Sequence, residues 1–401
     1  MSTPIISRPA SLSMSRSPMF ITGKNNIVST DNMVSMDFDL EVWSGLRTSP
    51  PTSPIASLSK PYAVNKTISF EVSNLVKEQF SHDPNIYSTI AWAGAPTDEV
   101  LWVNCPGSWS YLNAGASASG VHTTGTTNSW LALDGWQPFP NVVEQQVTIA
   151  LLSVARTRYV MAGNYETLAL YNVPYGVDEV EIAWNNGDAD QLYGPGGSST
   201  LPVYSLNSNN AVVYLGVGPQ NLEDNDELDI LIKPSSHACG DYYDVNLRAG
   251  GELVATARYQ LQCECRYTPY QVAFVNRYGV MDFCTFYKLS TRTDDFKGEN
   301  FKRMVYQDGF TAPNTQTGQY EDFNINSRTT LVMNTGFVDE VYGDVMIDIL
   351  MSEYVYVLEG NGWTRYNPVK GSFDYQKEVN QKLINYSMNF ERAFDNRPLI
   401  R

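Results

Sequence analysis

Residues 179–190 read EVEIAWNNGDAD. Val180, Ile182 and Trp184 alternate with less apolar residues, which predicts a half-buried β-strand, and NNGDAD is typical of a turn. The same pattern recurs on both sides, with strands predicted at 167–171, 211–215, 228–232, 243–247 and 253–261, separated by GPGG, NSNN and AGG turns. Short strands at this spacing, with almost no helical periodicity, predict an immunoglobulin-like β-sandwich over residues 159–265.

A second β-rich sandwich is predicted N-terminal to it, over residues 18–158. Met36, Phe38, Leu40 and Val42 alternate with acidic residues, and this period of two indicates a strand with one buried face. Further strands are predicted at 68–72, 89–92, 100–104 and 130–133, and a short helix near Leu75. Residues 108–128 are rich in Gly, Ser and Thr and are expected to form a long exposed loop. Residues 1–17, rich in Ser and Pro, are expected to be a flexible arm.

A mixed domain is predicted over residues 266–401. Asn276-Arg277-Tyr278-Gly279 is typical of a hairpin turn, since Gly adopts a positive φ at little cost. A polar loop is expected at 291–326, and apolar residues at helical spacing predict a helix over 338–351. The predicted fold class is mainly β, with tandem immunoglobulin-like sandwich modules followed by a small α+β C-terminal domain.

The composition favours a protein that binds other proteins. Of the 401 residues, 17% are charged and 25 are Tyr, and interface cores are depleted in charge and enriched in aromatic residues. A net charge of −16 repels phosphate backbones, so no nucleic-acid partner is expected. No apolar run is long enough to span a membrane, and the N-terminus lacks the apolar stretch of a secretory signal. Synthesis in a cytosol is therefore expected, with five reduced cysteines.

Motifs that would indicate an enzyme are missing from the sequence. It has no G-x-S-x-G elbow, no phosphate loop and no dinucleotide fingerprint, so neither catalysis nor a cofactor is predicted. Two acidic turns, 185–190 and 223–229, carry oxygen ligands for calcium, but neither follows the EF-hand pattern.

A weak metal-binding candidate combines His237 and Cys239 with Cys263 and Cys265. Strand alternation places Cys263 and Cys265 on one face, and zinc accepts both residue types. The alternative is that these cysteines are free and pack as small buried hydrophobic residues.

Trp130 and Trp136 are candidate glycan contacts, because indole rings stack on sugars. The alternative for them is packing in a β-rich core. The loops at 108–128 and 188–199 would form the edge of such a binding site.

Five segments of the C-terminal third carry a likeness to a known family, namely CRYTPY at 265–270, VAFVNRYG at 272–279, LVMNTGFVDE at 331–340, ILMSEYVY at 349–356 and NQKLINYSMNF at 380–390. Through these segments the chain resembles tail or baseplate virion proteins from tailed phages that infect Bacteroidota. These segments are similar to the family's C-K-Y-T-P-Y…F-V-N-K-Y-G, L-N-T-G-W…L-L-L-S-E and N-D-K-L-I-x-Y-T-x-x-F patterns.

The resemblance implies a multimeric structural protein of the virion tail, made in the host cytoplasm, whose partners are its own copies and other tail proteins. A receptor-binding module that contacts host surface glycan is an alternative, and a neck or adaptor ring protein is a weaker one. A virion-associated glycanase is weaker still.

Overall fold

The computed structural model describes residues 5–24, 31–61, 67–84, 92–94, 98–113, 119–123, 129–137, 150–171, 176–193, 211–226, 228–303, 318–360, 362–371, 373 and 383–397. The fold is mainly β, as predicted. The chain forms two compact units, the first comprising residues 1–263 and 273–284 and the second comprising residues 264–272 and 285–401. Both predicted sandwich modules therefore lie in the first unit.

The N-terminal part of the first unit is built from two mainly antiparallel sheets and one short helix. Its strands are β1 (Ile5–Ser7), β2 (Leu12–Met14), β3 (Phe20–Lys24), β4 (Asp31–Trp43), β5 (Ala56–Pro61), β6 (Thr67–Glu71), β7 (Trp92–Gly94), β8 (Val100–Asn104), β9 (Gly107–Asn113), β10 (Ser119–Thr123) and β11 (Trp130–Leu133), and its helix is α1 (Ser73–Lys77). One sheet has the order β1-β3-β6, and the other β10-β9-β4-β8-β11-β2, with β5 also paired to β4. Alternating residues of β4, including Phe38 and Leu40, are buried in the core, as the period of two predicts.

Two predictions for this region are wrong. The expected flexible arm is part of the fold from residue 5, since β1 pairs with β3, and β2 pairs in parallel with β11 with its three residues buried. Residues 108–128 are not simply a loop, because β9 and β10 pair as an antiparallel hairpin. Residues 114–118 and 124–128 lie outside the described residues. In both segments the Ser and Gly residues mask the alternation of apolar and polar residues that indicates a strand.

The immunoglobulin-like sandwich is confirmed by its strand order. Its elements are β12 (Thr157–Met161), β13 (Thr167–Tyr171), β14 (Glu179–Trp184), β15 (Ala189–Tyr193), β16 (Val212–Gly216), α2 (Pro219–Glu223), β17 (Tyr242–Ala249) and β18 (Glu252–Gln262). The sheet β12-β18-β17-β14-β15 corresponds to strands G, F, C and C′ with an extra edge strand, and β13-β16 corresponds to B and E. Val180, Leu168 and Val245 from the two sheets share one core.

The second sheet of this sandwich is completed by β7, which pairs antiparallel with β16. A strand from the first predicted module thus belongs to the second, so the two are not separate domains. Trp184 is buried on the C-like strand, where immunoglobulin domains carry their core Trp. The hydroxyl of Tyr243, on the F-like strand, donates a 2.7 Å hydrogen bond to the carbonyl of Val217. Residues 228–232 were predicted as a strand, but Ile230–Ile232 is a 3₁₀ turn.

The predicted NRYG hairpin is confirmed between β19 (Tyr270–Val275) and β20 (Met281–Phe286). Gly279 has a φ of 79°, and a Cβ there would lie 2.5 Å from backbone atoms of Asp134 and Gly135. The predicted boundary at residue 266 is wrong for this hairpin, because residues 273–284 belong to the first unit. The reason is a set of buried polar contacts described below.

The second unit is α+β, as predicted, with β21 (Thr291–Lys302), β22 (Tyr320–Asp339), α3 (Tyr342–Met351), β23 (Val355–Glu359), β24 (Gly362–Pro368) and β25 (Leu383–Asp395). Its sheet runs β23-β24-β25-β22-β21. The predicted helix begins at Tyr342 rather than Val338, because β22 continues to Asp339. The expected loop at 291–326 is wrong for the described residues, since β21 and β22 pair over most of their length. No described helix is long and apolar enough to cross a membrane.

Candidate functional site

The predicted metal ligands do not form a metal site. Cys239 and Cys263 are joined in a disulfide, with their Cα atoms 5.6 Å apart, so neither sulfur is a free thiolate for zinc. The prediction that all cysteines are reduced is wrong for this pair. The bond joins residues just before β17 to the end of β18, two places that 24 residues of chain separate. Among the described residues, no group of three or more His, Cys, Asp or Glu side chains is placed to hold a metal ion.

The other two predicted metal ligands, His237 and Cys265, have different environments. The His237 ring stacks on Trp184, with centroids 3.5 Å apart and planes at 7°, and its Nε2 lies 2.7 Å from the carbonyl oxygen of Leu231. Cys265 is free and exposed. His237 therefore covers the core Trp of the sandwich.

The two predicted glycan contacts differ in their exposure. Trp130 is 1% exposed and belongs to the core around Phe38 and Phe70, so a sugar cannot stack on it in the folded chain. Trp136 is half-buried, and the Arg277 guanidinium lies 5.4 Å from its ring centroid. Its backbone N–H donates to the carbonyl of Arg277 at 2.7 Å. Residues 194–199 of the second predicted glycan loop lie outside the described residues.

A buried polar cluster holds the β19–β20 hairpin within the first unit. Arg158 Nη2 donates to Asp282 Oδ1 at 2.6 Å, and its Nη1 lies 3.5 Å from Glu166 Oε2. Ser153 Oγ donates to Asp282 Oδ2 at 2.8 Å, and Asn276 Nδ2 donates to the carbonyl of Leu152 at 2.8 Å. All these side chains are buried. Burial raises the pKa of Glu166 to about 7, although the Arg158 charge opposes the rise.

A second buried cluster surrounds His82. Its Nε2 lies 3.2 Å from Asp134 Oδ2 and its Nδ1 lies 3.9 Å from Glu99 Oε1. Burial opposes ionisation of Asp134, but hydrogen bonds from His82 and Arg16 outweigh it and lower its pKa. Burial raises the pKa of Glu99, which accepts a 2.8 Å hydrogen bond from the Tyr214 hydroxyl.

The groups around His82 do not form a nucleophilic triad. Ser15 Oγ donates to Asp134 rather than to His82, whereas nucleophilic catalysis needs a hydroxyl bonded to its base. Ser15, His82 and Asp134 are each 1% exposed, so a substrate has no access to them. Both clusters join segments that are far apart in sequence, and this is a structural role.

The most exposed apolar surface in the second unit lies on the β21–β22 ribbon, defined here as residues 291–303 and 318–328. β25 pairs with β22 only as far as Arg328, so residues 320–327 pair only with β21 among the described strands. The ribbon bears five large apolar side chains that are 44–74% exposed, namely Phe296, Phe301, Tyr320, Phe323 and Ile325. A two-stranded ribbon is marginally stable in water on its own, and exposed apolar clusters mark interaction sites.

The register distributes these side chains over both faces of the ribbon. Phe301 faces Glu321, and Phe323 faces Glu299, which puts both rings on one face with centroids 5.8 Å apart in an edge-to-face arrangement. Phe296 and Tyr320 occupy the opposite face, since facing residues share a side and neighbours alternate. A bulge beside Gly298 leaves Asn324 at a φ of 54°, a conformation that Asn tolerates better than most residues.

The charge of the ribbon differs from that of the whole chain. Its basic residues are Arg292, Lys297, Lys302, Arg303 and Arg328, and its acidic residues are Asp294, Asp295, Glu299, Glu321 and Asp322. The ribbon is therefore neutral, whereas the chain carries −16. The sequence of this segment predicts a polar loop instead. Phe296 and Phe301, each followed by a lysine, were the available signal. They lie five residues apart and so on opposite faces of a strand, which obscures a period of two.

Comparisons with known proteins add no family. No family model matches the sequence, and no curated protein matches it. Among solved structures, one described as a marsupial T cell receptor is similar at 12% identity, over 83% of this chain and 96% of that chain, with a TM-score of 0.17. A score this low supports no argument, so the assignment of the sandwich rests on its strand order.

Proposed function

We propose that this chain is a structural protein of a tailed-phage virion, a multimeric component of the tail or baseplate that acts through protein–protein contacts. The observation that carries the proposal is the β21–β22 ribbon, which presents aromatic side chains on both faces and is neutral on an acidic chain. Such a surface is suited to burial against another protein, because aromatic residues supply much of the contact energy of interfaces.

Two further observations support this proposal. The segments that resemble phage tail proteins include LVMNTGFVDE and NQKLINYSMNF, which lie largely in β22 and β25, the strands that hold the ribbon. The buried polar clusters of the first unit join segments that are far apart in sequence, which suits a structural role. The proposed partners are other copies of the chain and other tail proteins, and the proposed location is the virion.

Mass spectrometry of purified virions, followed by a cryo-EM map, tests the proposal. We expect the chain in the particle at a stoichiometric copy number, with symmetric copies in the tail or baseplate density and the ribbon against a neighbouring subunit. Density for the chain at the neck would change the proposed location within the virion but not the proposed structural role. Absence of the chain from purified virions, together with its presence in infected cells, would overturn the proposal.

A further inference from the structure

The outer edge of β21 has no pairing partner within the described part of the chain. β21 is the last strand in the sheet order, and nearly all of its residues are exposed. An exposed edge strand presents unpaired N–H and C=O groups that pair readily with another strand. Proteins commonly protect such an edge with charge, so the pattern of charges along β21 decides whether it repels or accepts a partner.

The charges along β21 are complementary to those of a second β21 running antiparallel. A two-fold axis between two copies of one antiparallel strand places one residue opposite itself, and the residues on either side pair across the axis. With Gly298 at the centre, Lys297 of each copy lies opposite Glu299 of the other, and Asp294 lies opposite Lys302. Two distinct ion pairs, each occurring twice, thus arise from one register.

Both neighbouring registers place like charges directly opposite each other. A centre at Lys297 puts Asp295 opposite Glu299, and a centre at Glu299 puts that carboxylate opposite itself. Like charges placed directly opposite each other destabilise a strand pair. Lys297 and Glu299 also have no ion-pair partner of their own among the described residues. Gly298 has no side chain, so it does not hinder the approach of two strands at the axis.

We propose that β21 pairs with β21 of a second copy of this chain, antiparallel and centred on Gly298, to form a four-stranded sheet across a symmetric dimer. This inference deepens the proposed function by naming the partner of the ribbon, and it rests on that function only for its place in the virion. The neutral ribbon allows two chains of net charge −16 to meet at a segment that adds no net charge to their repulsion. The edge hydrogen bonds supply affinity, and the charge pattern sets the register.

Charge reversal tests the pairing on the purified full chain by sedimentation velocity. We expect the wild type to be dimeric, and Lys297→Glu and Glu299→Lys each to weaken self-association about tenfold or more, because each places like charges opposite one another twice. An equimolar mixture of the two single variants should recover the dimer, since each then meets its opposite charge in the other chain. Glu252→Lys, an exposed reversal in the first unit, is the matched control and should remain dimeric.

A disulfide trap provides a second measurement. In a Cys265→Ser background, which removes the exposed thiol, Lys297→Cys and Glu299→Cys chains are mixed and oxidised, and we expect cross-linked heterodimers. A wild type that stays monomeric, or single reversals that dimerise as well as the wild type, would overturn the pairing. These outcomes are independent of the virion test. If the chain is found in virions but the purified wild type is monomeric, the proposed virion function stands and only the β21–β21 pairing is rejected.

Discussion

Arg158 and Asp282 form a buried ion pair with a 2.6 Å hydrogen bond, and it connects β12 of the sandwich to the β19–β20 hairpin. The two residues are 124 positions apart. Ser153 and Asn276 donate to the other carboxylate oxygen, at 2.8 and 3.2 Å. Both carboxylate oxygens of Asp282 therefore accept hydrogen bonds. This pairing explains why the hairpin belongs to the first unit although the sequence around it continues into the second.

Removing one partner of this pair should be costly. We expect Asp282→Ala to lower the free energy of unfolding by about 3–5 kcal/mol, because it removes the carboxylate that bonds the buried Arg158 charge at 2.6 Å. Urea unfolding measures the loss. Glu391→Ala is the control, since its 3.1 Å pair with Arg328 is exposed and should contribute at most about 1 kcal/mol. Equal losses for the two variants would contradict the structural role of the cluster.

The sequence predicted the parts of the fold that depend on local pattern. Alternation located β4 and β14, and the NRYG turn located the β19–β20 hairpin. It did not predict that β7 completes the sheet of the sandwich or that Arg158 pairs with Asp282, because neither fact is encoded within a window of neighbouring residues. The flexible-arm prediction failed for the same reason, since β2 is ordered by its pairing with β11, more than a hundred residues away.

The candidate sites were less predictable than the fold. The sequence suggested that Cys239 and Cys263 are metal ligands or free buried cysteines. Their disulfide depends on the antiparallel pairing of β17 with β18, which brings the residues before β17 beside the end of β18. The sequence around Trp130 does not show whether its ring is buried or exposed for stacking on a sugar. Its burial depends on strands that are remote in sequence. The strands of the ribbon are difficult to predict from sequence, because a bulge near Gly298 and Asn324 interrupts the regular pairing of β21 with β22.

The stability of the first unit should depend on pH through Glu166. Its folded pKa, about 7, lies above its ordinary value of 4.5, so its contribution to stability is complete below about 4.5 and is lost as the pH rises through 7. The titratable groups that interact electrostatically with Glu166 are Arg158, Asp282, Tyr243, Tyr259 and Cys284.

Glu166→Gln isolates this contribution. Relative to the wild type, the variant should gain about 3 kcal/mol of stability between pH 4.5 and pH 7, since each pKa step corresponds to about 1.4 kcal/mol. The measurement is urea unfolding across that range, with the exposed Glu252→Gln as control. A variant curve parallel to the wild type would show that Glu166 titrates as it does in the unfolded chain.

The Cys239–Cys263 bond should stabilise the chain measurably. Closing a loop of 24 residues removes conformational entropy from the unfolded state, which corresponds to about 3 kcal/mol. We expect the Cys239→Ser/Cys263→Ser double variant to unfold at lower urea by that amount, and reductant to lower the stability of the wild type but not of the variant. A reductant effect of equal size on both proteins would assign the loss to another process.

The exposed aromatic pair Phe301 and Phe323 should matter for assembly and little for folding. Both side chains are nearly half exposed and lie edge-to-face against each other, so Phe301→Ser/Phe323→Ser should change the free energy of unfolding by less than about 1 kcal/mol. Incorporation into particles should fall about tenfold or more, because aromatic contacts dominate interface energetics. The chain is supplied in trans to a phage lacking its gene and quantified in purified particles by mass spectrometry. Phe20→Ser, which alters an aromatic residue that is 53% exposed in the first unit, should incorporate normally. Normal incorporation of the ribbon variant would remove the ribbon from the assembly surface.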